Sequence, residues 1–162
     1  MPRTVIPLLV AIMAFVGCSG PSASEGDASP PEQAPTISRC FLQVTTGEPM
    51  VVDRDTLKGP VDSLVVHLDI TGELVNGRYD WLPQEKDHMT GSITGHLENG
   101  LVTALYTYQA EGTTGKMEVL FRLEDDGLRI GTGDMVEAQG YSVFLDPSKA
   151  IFGPLVPPVD CP

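Results

Sequence analysis

Basic residues are scarce: ten Lys and Arg stand against twenty-two Asp and Glu, for a formal net charge of −12 over 162 residues. So acidic a chain is repelled by nucleic-acid phosphates and by an anionic bilayer face, so no nucleic-acid partner is expected. Histidine is limited to His67, His88 and His96, whose spacing forms no metal or catalytic set. His67 and His96 fall on the outward side of alternating segments and are expected to be solvated. No G-x-S-x-G nucleophile motif occurs. The G-x-G at Gly131-Thr132-Gly133 is not followed by a strand-to-helix unit, so neither nucleotide binding nor any other cofactor is expected. Long apolar runs are missing too. The uncharged stretch from Val5 to Gly17 is well short of the ~20 residues that cross ~30 Å of hydrocarbon. Helical periodicity is equally rare, which argues against an α-helical domain.

That short stretch has a different use. Arg3 precedes it, Pro7 interrupts it and Gly17 ends it, the layout of a secretory signal. Phe15-Val16-Gly17-Cys18 resembles the lipobox of bacterial lipoproteins, with Phe15 where Leu is usual. The resemblance implies a signal peptide over residues 1–17 and a diacylglyceryl group on the thiol of Cys18, which becomes the acylated N-terminus and anchors the chain to the membrane. The alternative is ordinary cleavage after Ser22-Ala23-Ser24, with no lipid. Ser19 rather than Asp after the cysteine goes with transport to the outer membrane in Gram-negative lipoproteins. The expected location is the cell envelope, as an outer-membrane lipoprotein facing the periplasm or the cell surface. Residues 18–37 hold this cysteine and, over 19–36, a Ser/Pro/Gly/acidic stretch without large apolar side chains, expected to be a disordered tether of roughly 20–25 Å.

With Cys18 taken by lipid, Cys40 and Cys161 remain as an even pair in an oxidising compartment, at the two ends of a domain over residues 38–162. A disulfide staple is expected. A reactive or metal-binding pair is not, because no base or further ligand lies near either cysteine in the sequence.

Within the domain apolar and polar residues alternate. Leu64, Val66, Leu68 and Ile70 share one face, as do Val75, Gly77, Tyr79 and Trp81. A turn at Thr71-Gly72 would pair Leu68 with Val75 and Leu64 with Tyr79. Asn99-Gly100 is a strong type I′ hairpin signal and sets Leu97 opposite Val102, Gly95 opposite Ala104 and Ile93 opposite Tyr106. Met117, Val119, Phe121 and Leu123 form another inward row, turned by Asp125-Asp126-Gly127 into Leu128 and Ile130. Tyr141 to Leu145 reads as the last strand, before a Pro-rich tail. With Cys40–Thr45 and Met50–Asp53 the count is about eight strands. The expected fold is all-β, a small antiparallel meander closing into an up-and-down, lipocalin-like barrel, with a two-sheet sandwich as the alternative. Inward glycines such as Gly77 and Gly95 would relieve crowding where the sheet curls.

In a meander alternate loops share an end. The loops at 82–90 and 110–116 are the richer ones and meet at one rim, bringing Glu85, Lys86, Asp87, His88 and Glu111 together beside Trp81 and Tyr108. Trp81, Tyr79, Tyr106 and Tyr108 face inward and either line a ligand mouth or belong to the core. The carboxylates and His88 either bind a cation and do acid–base work or are a solvated loop in which Lys86 pairs with Glu111 or Asp87.

The stretch Val75-Asn76-Gly77-Arg78-Tyr79-Asp80-Trp81, the run Glu85-Lys86-Asp87 with Gly91 and Gly95, and Tyr106 to Gly112 resemble a group of uncharacterised bacterial envelope lipoproteins. That group shares an EKD-x-x-x-G-x-x-x-G stretch, a later aromatic-x-x-x-E-G stretch and a cysteine near the end. The likeness spans roughly residues 40 to 161 and brings no biochemical function with it; Ala110 stands where Ser is expected. The functional expectation is a membrane-tethered envelope binding module for a small apolar ligand or an envelope protein. The candidate rim is Trp81, Glu85, Lys86, Asp87, His88, Tyr108 and Glu111. The alternative is a periplasmic hydrolase or metal-dependent enzyme using Glu85, Asp87, His88 and Glu111.

Overall fold

A computed structural model describes residues 34–162 apart from Asp53, so the expected signal peptide, Cys18 and the expected tether as far as residue 33 lie outside the described residues. The domain is all-β. Its strands are β1 (Thr36–Thr46), β2 (Met50–Val52), β3 (Asp55–Leu57), β4 (Val61–Thr71), β5 (Leu74–Leu82), β6 (Met89–Glu98) and β7 (Leu101–Ala110). They continue with β8 (Thr113–Glu124), β9 (Gly127–Thr132), β10 (Met135–Ala138), β11 (Tyr141–Phe144), β12 (Ile151–Val156) and β13 (Pro158–Val159). One turn of 3-10 helix, Pro147–Lys149, precedes β12 and is capped by Asp146.

A consecutive antiparallel ladder runs β1-β4-β5-β6-β7-β8. One half of β8 continues into β9, while Met117 in the other half pairs in parallel with Ser142 of β11, which makes the sheet mixed. At the chain's end β12 pairs with β9, and β13 pairs with β1 through Cys40–Val159 and Phe41–Pro158. Pro157 separates β12 from β13, and its carbonyl accepts from the Leu42 N–H at 3.2 Å.

The inward rows are those that alternation marks. Phe41, Val66, Leu68, Ile70, Val75, Ile93, Val102, Ala104, Tyr106, Val119, Phe121, Leu128 and Val156 form one buried cluster. Tyr79 of β5 meets Phe121 of β8 edge-on at 5.6 Å between ring centroids. Those strands are three ladder steps apart, about 14 Å on a flat sheet, so the ladder is strongly curled.

Several expectations change. The Asn99-Gly100 hairpin has the expected register, with φ of 50° and 79°. The β4–β5 turn is Gly72-Glu73 instead of Thr71-Gly72, so Leu68 pairs with Gly77 and Leu64 with Trp81. Only Gly72 of that turn has positive φ, 61°. This is the type II′ pattern, which puts Gly at the first central position and moves the turn by one residue. The pairing moves by an even number, so both faces are kept. The strand expected at Met50–Asp53 is instead β2 of a separate two-stranded hairpin with β3. Tyr141–Phe144 is not the last strand, and the Pro-rich tail supplies β12 and β13. The Gly153-Pro154 step falls where the β12–β9 register shifts, a bulge that tolerates a residue without an N–H.

Candidate functional site

The two ends of the curled ladder differ. One carries the tight turns Gly72-Glu73, Asn99-Gly100 and Asp125-Asp126. At the other, the segment Pro83–His88 links β5 to β6 and Glu111-Gly112 links β7 to β8. Glu111 and Gly112 have φ of 50° and 75°, a type I′ pair, so Thr113 to Lys116 belong to β8 and the broad loop expected at 110–116 shrinks to two residues.

Trp81 stands at this open end, inward by parity, paired with Leu64 on β4 and Met89 on β6. It is half-buried and separates two hollows. One, of about 450 Å³, is lined by Trp81, Glu85, Lys86, Asp87, Met89, Ala110 and Glu111. The other, of about 170 Å³, adds Gln43, Thr45, Asp62, Ser63 and Leu64 on its far side. The loop is fixed at its base: Pro83 is buried, the Val61 N–H donates to Gln84 Oε1 at 2.6 Å, and the Gln84 N–H donates to Asp62 Oδ1 at 3.0 Å. Beyond that anchor Glu85, Lys86, Asp87 and His88 are exposed.

Five of the seven expected rim residues therefore share one hollow, whose floor is an indole and a thioether and whose lip carries three carboxylates and one ammonium. His88 and Tyr108 do not line it. The Tyr108 ring stacks 5.2 Å from Tyr106 and covers Gly115 across the β7–β8 pair, where an added Cβ would overlap it. Tyr106 is in the core, its hydroxyl donating to the Tyr79 carbonyl at 2.8 Å. Burial raises the pKa of both phenols, and for Tyr106 the neighbouring Tyr79 and Asp80 charges add to it. Met89 and Ala110 were missed, although Met89 is the inward residue facing Trp81 once the β5–β6 register is known.

The expected pairing of Lys86 with Glu111 or Asp87 does not form. The ion pairs among the described residues are His67–Asp69, Arg78–Asp80, Arg129–Glu124 and Lys149–Asp146. Nor do Glu85, Asp87, His88 and Glu111 converge as a ligand set. Among the described residues the metal-ligating side chains that do gather are Cys40, His67 and Cys161. Cys40 and Cys161 are joined as a disulfide, as expected, with Cα atoms 5.2 Å apart. The expectation that no base lies near them fails, because β1–β4 pairing sets His67 directly opposite Cys40. His67 lies on the outer face as expected, its side chain 38% exposed, but its Nε2 is buried.

A larger depression of about 610 Å³ flanks the Asn99-Gly100 turn, lined mainly by outward residues such as His96, Glu98, Thr103 and Arg122. It is a groove on the outer wall, and no aromatic side chain lines it. No protein-family model, no curated protein and no solved structure matches this chain.

Proposed function

We propose that this chain is a lipid-anchored envelope binding protein. In this reading its domain is a closed barrel that takes a small apolar ligand, neutral or cationic, at the mouth around Trp81. The hollow of about 450 Å³ carries the reading: it is of ligand size, apolar at its floor and acidic at its lip. Closure is supported by the pairings at the chain's end. With β12 on β9 and β13 on β1, the order β1-β4-β5-β6-β7-β8-β9-β12/β13 returns to its start. One core cluster draws on every strand of that ring except β13. A barrel of about eight strands has an interior that side chains fill, which favours a ligand at the rim over one at the centre. Export and acylation at Cys18 would place this mouth within a tether's length of a membrane.

Trp81 is the chain's one tryptophan, so its fluorescence reports the hollow directly. Titration below micelle-forming concentrations with a long-chain alkylammonium, a neutral alkyl glycoside and an alkyl sulfate tests the reading. A saturable emission change with the first two and a much weaker response to the sulfate is expected. No saturable change with any of the three would overturn it. The anchor has a separate test: Cys18→Ser should move the exported chain from the membrane fraction to the soluble fraction, and an unmoved variant would refute lipidation.

A further inference from the structure

Cys40 and His67 project from the outer wall of the sheet as a directly opposed pair on β1 and β4, and the disulfide brings Cys161 to the same corner. The two sulfurs and an imidazole nitrogen of His67 all lie within 4.8 Å of one another. His67 Nε2 is buried and makes no hydrogen bond. Asp69 Oδ1 lies 3.3 Å from it but is not aligned to accept, and that same oxygen takes the Ser38 hydroxyl at 2.5 Å. With the imidazole neutral, that buried ring nitrogen keeps a free lone pair, while the rest of the ring reaches the surface with the side chain 38% exposed. Cys40 is buried but Cys161 is exposed, leaving the bond open to attack from solvent.

We propose that this corner is a reduction-gated metal site, in which Cys40, Cys161 and His67 hold one zinc-class divalent ion once the disulfide is opened. A dithiol reductant passes two electrons and two protons to the Cys40–Cys161 bond. The S–S bond breaks, two thiols form, and the reductant becomes its own disulfide. Binding then releases both thiol protons to solvent and forms two metal–sulfur bonds, with the neutral His67 nitrogen giving its lone pair as the third. Water completes the tetrahedron. Zinc–sulfur bonds of ~2.3 Å and zinc–nitrogen bonds of ~2.0–2.1 Å set tetrahedral donors roughly 3.4–3.8 Å apart. The freed sulfurs and the imidazole reach that spacing with small side-chain rotations. Two thiolates with an imidazole form a soft donor set that suits zinc over magnesium or calcium. The ion would then hold the chain's end against β1 in place of the covalent bond.

The test uses the full chain carrying Cys18→Ser, so that Cys40 and Cys161 are its only thiols. Reduced protein is titrated with cobalt(II), then with zinc as competitor. One ion per chain, a thiolate-to-cobalt charge-transfer band, and no band from the oxidised protein are expected. His67→Ala should weaken binding by more than about tenfold, since loss of even an outer-shell partner costs ~10–100-fold. His67→Gln keeps a polar side chain and should weaken binding as well, with the oxidised forms of both variants matching wild type by near-UV circular dichroism. Zinc should also return the melting temperature of the reduced chain toward that of the oxidised chain. No band, wild-type affinity in both His67 variants, or a reduced chain that zinc fails to stabilise would each overturn the proposal.

Discussion

At the scale of single residues, two glycines of one hairpin are required for different reasons. Gly72 has open space around it, but its φ of 61° suits a residue without Cβ. Gly77 has ordinary φ, but a Cβ there would overlap the His67 carbonyl oxygen on the neighbouring strand. Gly72→Ala should cost about 1 kcal/mol through backbone strain. Gly77→Ala should cost about 2–3 kcal/mol, because backbone has to move to admit the methyl group. Urea unfolding of the two variants checks the order; equal losses would mean that the sheet does not approach closely at Gly77. Tyr106 gives a pH-dependent expectation. Its phenol is buried, and its folded pKa is raised above the usual 10.0. The stability this group contributes is complete below the unfolded pKa and falls as pH rises above about 10, because there the unfolded chain binds fewer protons than the folded one. The slope is about 1.4 kcal/mol per pH unit for this one group. Tyr106→Phe should flatten that decline while costing about 0.5–1.5 kcal/mol at neutral pH, through loss of the bond to the Tyr79 carbonyl.

Among the elements, legibility followed the turns. Asn99-Gly100 put glycine where a type I′ turn requires it, and β6 and β7 pair in the register read from that dipeptide. Glu111-Gly112 and Gln139-Gly140 are type I′ turns as well, but glutamate and glutamine seldom take positive φ. The first therefore reads as part of a broad loop, and the sequence gives no signal for the β10–β11 hairpin. The tail was hidden by its prolines, which signal against a strand until a bulge at Gly153-Pro154 and a junction at Pro157 make them admissible. The rim loops were legible because parity alone brings Trp81 and Glu111 to one end. The neighbour of Cys40 was not, since β1 and β4 are joined by a long excursion through β2 and β3 whose length leaves register open. That tail is held by the disulfide, which closes a loop with a sequence separation of 121 residues. Cys161→Ser should lower stability by up to about 4–5 kcal/mol on chain-entropy grounds. Denaturant unfolding measures it; a loss under about 1 kcal/mol would mean that β12 and β13 hold the end without the bond.

For the whole molecule, the question is whether the ladder has free edges. An open sheet of this order would leave the outer backbone groups of β1 and β9 unpaired along most of their length, which proteins generally cover or blunt. Here β12 pairs with β9 from Ile151 to Val156 and β13 pairs with β1 at Cys40 and Phe41, and Arg39 of β1 donates to the Glu124 carbonyl at the end of β8, 3.1 Å away. In ladder order β1 and β8 are five steps apart, about 24 Å on a flat sheet. In a closed ring the short way between them would run through β12, β13 and β9. Closure therefore predicts a specific pattern of amide exchange. In the disulfide-bonded chain the Leu42 amide, which donates to Pro157, should exchange on the same slow timescale as amides of the β6–β7 pair. Both would then open only with global unfolding. In Cys161→Ser the protection should fall first at Leu42 and along β12 and β9, ahead of β5 to β7, because the disulfide ties that end of the chain to β1. If Leu42 and β9 exchange quickly in the intact protein, the sheet is open and the mouth at Trp81 is the end of a curled sheet and not of a barrel.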